Sequence, residues 1–273
     1  MASGHTPDID AYFRRIGYSG GREPTLGTLN GILAAHICAI PFENVSVILG
    51  EPVLLEAGAV ERKLVGSRRG GYCFEQNGHL LAVLSRLGFD AAPLSARVRF
   101  QQPRALVTPR THLFLRVTIG GEPWMADVGV GGLSPGQALR MGAGAEQETP
   151  WETRRLVGEN GRWYHQVLFG GEWADVTEYT GEEMPAIDRE IGNWWTSTSP
   201  QSKFRQSLSV AIAGAGGERR SLFNREFTVR RRGAAAERRI LSSHGELVGV
   251  LAESFGIEVP PGATLRAPNL AWD

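Results

Sequence analysis

The apolar period of this chain changes at Asp90, and that change limits the folds open to it more than any other feature. Before Asp90 apolar residues recur at helical spacing; after it they alternate, as in half-buried strands. Beyond Gly181 the two patterns mix. A chain that runs helical, then β, then mixed is expected to be α+β, with regions 1–87, 88–180 and 181–273.

In the first region Asp8 caps a short helix carrying Ile9, Tyr12, Phe13 and Ile16, and Gly17 ends it. Thr25 caps the next, with Leu26, Leu29, Ile32, Leu33 and Ile37 as its stripe; Pro41 closes it and leaves an extended exit. His36 and Cys38 lie on this helix without a partner of the right type nearby, so both read as structural. A third helix spans about Glu56 to Leu64. In the β region Leu94, Ala96, Val98 and Phe100 alternate, and hairpins are expected at Gly120-Gly121, Asn160-Gly161 and Gly170-Gly171. Consecutive hairpins of this kind build a meander or small barrel. The stretch Met141 to Gln147 reads as a loop. In the last region Ile187, Ile191 and Trp194 fit a short helix, Phe204 to Ile212 and Phe223 to Val229 look like strands, and Ser243 caps a helix ending at Gly256.

Lys+Arg and Asp+Glu are equal at 29 each, so no global field recruits nucleic acid or a membrane surface. The end is locally basic: Arg230-Arg231-Arg232 and Arg238-Arg239 read as a solvated face or as a site for a polyanionic small molecule. Cys38 and Cys73 make no disulfide framework, and a reducing cytoplasm fits them best. The start, Met1 to His5, lacks the charged-then-apolar order of a signal peptide, and no apolar run approaches the ~18 residues of a membrane span. Scattered histidines without CxxC or HExxH argue against a metal.

The chemistry centres on Arg68-Arg69-Gly70-Gly71-Tyr72-Cys73-Phe74-Glu75-Gln76-Asn77. Leu80, Leu81, Leu84 and Leu87 follow at helical spacing before Gly88, which places Cys73 in the first turn of a helix. There the macrodipole and the unpaired N–H groups favour a thiolate. A buried structural cysteine is the competing reading. A histidine and an aspartate tip the balance. If Gly120-Gly121 form the hairpin loop, paired positions sum to 241, Phe114 faces Asp127, and His112 projects from the same side as Asp127. As diagonal neighbours their Cβ atoms stand roughly 7 Å apart, within reach of an imidazole–carboxylate bond. A nucleophilic cysteine requires such a pair: a histidine to stabilise the thiolate and carry protons, and a carboxylate to orient it.

At these residues the sequence resembles the arylamine N-acetyltransferases, over nearly the whole chain. The resemblance is carried by Ile40-Pro41-Phe42-Glu43-Asn44-Val45, the Arg69 to Asn77 stretch, Thr111-His112, and Asp127-Val128-Gly129-Val130-Gly131-Gly132. It implies a papain-like triad of Cys73, His112 and Asp127 within an N-terminal helical bundle, a central antiparallel β-barrel and a C-terminal α/β lid. It implies ping-pong acetyl transfer from acetyl-CoA, a co-substrate rather than a bound cofactor, to an arylamine or arylhydrazine. By the same resemblance Thr111, Gly129, Gly131 and Gly132 border the CoA entrance, and Phe42, Tyr72, Val130 and Phe204 line the acceptor pocket. Glu43 and Arg69 then form an ion pair that holds the cysteine loop. Many members carry an aromatic where this chain has Val130. The long vertebrate insertion between the last two regions is not apparent, so the chain looks bacterial in type. Macrolactam-forming amide synthases, which take acyl chains from a carrier protein, share these motifs; a cysteine peptidase or a binding module are further alternatives.

Overall fold

A computed structural model describes residues 5–142 and 144–272; residues 1–4, at the start discussed above, lie outside the described residues. Helices α1 (Ile9–Ile16) and α2 (Leu26–Ala39) begin at Asp8 and Thr25, whose side chains accept the N–H groups of Ala11 and Thr28. Strand β1 (Phe42–Glu43) and the turn α3 (Val45–Ile48) follow. Helix α4 (Ala57–Glu61) widens into a π-helical turn, Arg62–Gly66, before α5 (Cys73–Arg86). The helices pack Tyr12, Leu29, Ile32, Leu64, Leu80 and Leu84 into a core with almost no exposed surface.

Eight strands then form one antiparallel sheet: β2 (Asp90–Val98), β3 (His112–Ile119), β4 (Glu122–Ala126), β5 (Leu139–Arg140), β6 (Gln147–Glu148), β7 (Thr153–Glu159), β8 (Arg162–Phe169) and β9 (Glu172–Glu183). Their order is β5-β4-β3-β2-β9-β8-β7-β6, and the sheet is nearly closed. The Gln147 side-chain amide bonds both N–H and C=O of Arg140, linking the two edge strands. The β3–β4 pairing runs from Leu115↔Ala126 to Ile119↔Glu122, the register that the Gly120-Gly121 loop predicts. It sends Leu115 and Val117 into the helical core and Phe114 into the barrel beside Leu94, Met125 and Tyr179. Asn160-Gly161 and Gly170-Gly171 also turn hairpins, Glu159↔Arg162 and Phe169↔Glu172.

The last part holds α6 (Ala186–Thr198), α7 (Lys203–Gln206), β10 (Ser209–Ala213), β11 (Glu218–Phe223), β12 (Glu226–Arg231), β13 (Glu237–Ile240) and α8 (His244–Phe255). Its five-stranded sheet, β1-β10-β11-β12-β13, takes β1 from the first part of the chain. The molecule is therefore α+β, as expected.

Two sequence expectations fail here. Phe204 is not in a strand, because Ser202 caps a helical turn by accepting the Phe204 N–H, and the strand starts only at Ser209. Phe223 and Val229 lie on two strands, not one, because Asn224 turns the chain with φ 52°. Helix α6 forms where Ile187, Ile191 and Trp194 predict a helix, and these three side chains face solvent. The helix docks through Gly192, Asn193 and Thr196 instead, with Asn193 bonded to the Tyr72 hydroxyl and the Val53 carbonyl.

Candidate active site

Cys73 is the first residue of α5 because the preceding chain is held in a tight turn. A Cβ on Gly70 would sit 1.9 Å from the Pro41 carbonyl oxygen, so no side chain fits there. The Glu75 carboxylate accepts the Tyr72 N–H at 3.0 Å and meets Lys63 at 2.6 Å, so the turn is capped by a buried ion pair. A second pair, Arg69 with Glu43 at 2.8 Å, ties the turn to β1, and Glu43 also accepts the Val45 N–H.

Strand β3 delivers His112 and the end of β4 delivers Asp127. His112 Nε2 and Asp127 Oδ2 are 2.7 Å apart, which leaves the opposite ring nitrogen free of Asp127, and Cys73 also favours the charged imidazole. The Cys73 thiol reaches the Thr111 carbonyl at 3.5 Å. Asp127 Oδ1 is occupied as well, accepting from Asn77 Nδ2 and the Gly129 N–H, each at 2.9 Å. Both carboxylate oxygens are thus fixed, and so is the imidazole's orientation. Burial pulls the His112 pKa down, but the charge and hydrogen bond of Asp127 outweigh it, and Cys73 adds to them. The result is a rise from 6.5 to about 10. The imidazole therefore carries its proton at neutral pH, as a partner for a thiolate must.

Cys73 and His112 open onto a cleft of ≈ 520 Å³. Its walls combine the Gly129 to Leu133 turn, the loop after β2 with Leu106 and Val107, the α6 residue Trp195, and α7. Among the described residues no group of three or more His, Cys, Asp or Glu is placed to hold a metal ion. No helix there is long and apolar enough to cross a membrane.

An N-acetyltransferase family profile matches residues 25–264. The chain is similar to an arylamine N-acetyltransferase of Escherichia coli, 38% identical over 93% of this chain and 90% of that protein. One from Mycobacterium tuberculosis is 39% identical over 92% and 90%. The chain belongs to the arylamine N-acetyltransferase family. The solved structure of Mycobacterium marinum arylamine N-acetyltransferase in complex with CoA superposes with a TM-score of 0.88 at 37% identity, covering 92% of this chain and 93% of that one.

Of the residues that the family resemblance singled out, Phe42, Thr111, Gly129, Val130, Gly131, Gly132 and Phe204 all line the cleft with Cys73 and His112. Phe42 and Phe204 stand with ring centroids 5.9 Å apart. Tyr72 does not line it. Its ring is fully buried behind Phe204, edge-on at 5.5 Å, and its hydroxyl is bonded to Asn193. A polar tip needs a buried partner, and α6 supplies one away from the cleft. Gly129 has a second demand on it: a Cβ there would lie 2.6 Å from both Cys73 Cα and Asn77 Nδ2. The sequence reading passed over Asn77, which joins α5 to Asp127, to the Leu113 carbonyl and to the Val128 N–H. Its position four residues after Cys73, on the same helix face, was the available signal.

Proposed function

We propose that this protein transfers acetyl from acetyl-CoA to the nitrogen of an arylamine or arylhydrazine through a thioester on Cys73. The observation that carries this reading is a cysteine at a helix start, open to a cleft, beside a histidine whose far nitrogen is held by a buried carboxylate. In the first half-reaction the Cys73 sulfur attacks the donor carbonyl, the C–S bond to CoA breaks, and His112 gives its proton to the departing CoA sulfur. In the second, the amine nitrogen attacks the acetyl carbon and releases a proton to His112, while Cys73 leaves as thiolate and restores the ion pair.

Thioester exchange is nearly isoenergetic and amide formation from a thioester is downhill, so the protein's task is to position groups and stabilise an oxyanion. The Cys73 N–H, first in α5, has no acceptor within its own helix and is the natural oxyanion donor. Phe42, Val130 and Phe204 would take the aromatic acceptor. Thr111 and the Gly129 to Gly132 turn would take the pantetheine arm. Glu43 and Arg69 support the turn without touching substrate. The CoA complex of the M. marinum relative supports the donor, and two unpaired cysteines suit action in a reducing cytoplasm.

The test is intact-mass spectrometry after incubation with acetyl-CoA. One acetyl adduct is expected on the wild type and none on Cys73→Ser, whose hydroxyl does not ionise beside an imidazolium. An adduct on Cys38 instead would refute the assignment.

A further inference from the structure

A second cavity, of ≈ 720 Å³, lies between α4, α5 and α6, and among the described residues it shares no lining with the active-site cleft. Helix α5 gives Cys73 to the cleft and Phe74, Gly78, Leu81 and Ala82 to this cavity, a different face at helical spacing. Leu55 and Val60 extend the apolar wall.

Two polar side chains in the lining lack partners. His79 is only 4% exposed, and its Nε2 has no hydrogen bond to any described residue. Its ring meets Tyr12 edge-on at 5.1 Å, which packs it without satisfying a nitrogen, because the Tyr12 hydroxyl is bonded to His36. Burial lowers the His79 pKa to about 4, so the ring is neutral at pH 7. Arg189, in α6, is half-buried. Its side chain makes no hydrogen bond or ion pair with any described residue, and its Nε is shut off from water.

The carboxylates nearby do not complete the site. Glu61 is taken by His5 and by the Asp8 N–H. Glu56 and Glu190 are exposed, and Glu190 acts on Arg189 only through space. An orphaned guanidinium and a buried neutral imidazole in an apolar wall complement one carboxylate on an apolar body. The exposed Glu56 and Glu190 disfavour ligands with several negative charges, such as nucleotides.

We infer that this cavity is a second ligand site, which takes a small amphipathic monocarboxylate of the medium-chain fatty acid kind. Its carboxylate pairs with Arg189, and its chain packs on Leu55, Val60, Phe74 and Leu81. The neutral His79 ring offers one N–H without adding a second charge. Phe74 follows the cleft cysteine, and α6 is tied to Tyr72 through Asn193, so a bound ligand bridges the two helices that frame the Cys73 turn.

The experiment is calorimetric titration of the full chain with octanoate, the uncharged octanamide and inorganic phosphate. It uses wild type before and after reaction with N-phenylmaleimide, which places a ring in the cleft at Cys73. It also uses Arg189→Gln, Ala82→Phe to fill the cavity, and Arg86→Gln as a control, whose side chain is exposed at the end of α5. Octanoate should bind wild type at one site, equally well after the maleimide, and phosphate should not bind. Arg189→Gln should weaken octanoate at least about tenfold, and Arg86→Gln should not. Octanamide should bind about tenfold more weakly than octanoate and be insensitive to Arg189→Gln. Ala82→Phe should abolish both. Octanoate binding that the maleimide removes belongs to the cleft and overturns the inference. So does equal affinity for octanoate and octanamide, an Arg189→Gln variant that binds octanoate like wild type, or no octanoate binding at all. None of these outcomes touches the chemistry proposed for Cys73.

Discussion

Helix α5 carries two adjacent amides, Gln76 and Asn77, and each serves a fully buried histidine site on a different side of the helix. On the bundle side His36 Nδ1 is 2.8 Å from the Tyr12 hydroxyl and its Nε2 is 3.2 Å from Gln76 Oε1. On the barrel side Asn77 holds Asp127, and Asp127 holds His112. Burial acts in the same direction on both rings. With only neutral hydrogen-bond partners, and with His79 also opposing its charge, His36 is pushed down to about 3. With a carboxylate at 2.7 Å, His112 is instead raised to about 10. One buried carboxylate thus separates a packing histidine from one fit to carry protons. Burial by itself favours the neutral ring.

The sharpest way to break this contrast is Asp127→Asn, which makes the barrel site resemble the bundle site. The amide keeps the size but loses the charge and permits the wrong tautomer. Acetyl transfer should fall by about 10⁴-fold, as hydrolase triads behave when their aspartate is amidated. Cys73 alkylation should shift to higher pH. Retained kcat/KM with an unchanged alkylation profile would reduce Asp127 to a cross-strand bond.

The next effect is on stability against pH, where the two sites act at opposite ends. His36 has a depressed pKa, so the stability its neutral ring contributes is present above 6.5 and lost as pH falls toward 3. His79, lowered by burial to about 4, adds to that acid limb. His112 has a raised pKa, so its contribution is present below 6.5 and lost as pH rises through about 10. Urea unfolding across this range should show slopes of up to about 1.4 kcal/mol per pH unit for each proton involved. His36→Asn should flatten the acid limb alone, and Asp127→Asn the alkaline limb alone. A variant that flattens both would show that the sites are coupled through α5.

The smallest effect concerns substrate choice at the barrel site. Val130 lines the cleft, and Val130→Phe should fill space that an acceptor ring would use. Each methylene buried there is worth about 0.8 kcal/mol, or roughly three- to fourfold in kcat/KM. Bicyclic arylamines should lose more than small hydrazines, with acylation by acetyl-CoA little changed. Equal losses for all acceptors, matched by slower acylation, would assign Val130 to the donor channel.

Much of the scaffold around these sites was legible because its determinants are local. Asp8, Thr25 and Ser243 cap the helices they were expected to cap, and Gly17 and Gly256 end theirs in the left-handed conformation. The Gly120-Gly121 loop sets the β3–β4 register, and that register puts His112 and Asp127 on one face before any distance is known. The turn at Phe204 and the docking face of α6 were not legible for the complementary reason. A capping serine two residues upstream overrides alternation, and the face a helix buries depends on partners far along the chain, here Phe74, Tyr72 and Val53.

The sequence by itself determined the element order, the helix ends, the hairpin register and the pairing of His112 with Asp127, because each follows from contacts a few residues apart or from strand period. The tertiary structure alone decided which groups were left without partners. Asn77 finds Asp127 fifty positions away, Tyr72 turns its hydroxyl from the cleft to Asn193, and Glu152 is saturated by Arg154 and Arg219 so that Arg230 goes unpaired. Composition counts 29 charges of each sign. Only packing brings particular charges within bonding distance, and a Coulomb interaction strong enough to set a protonation state acts over a few ångströms in space, not along the chain.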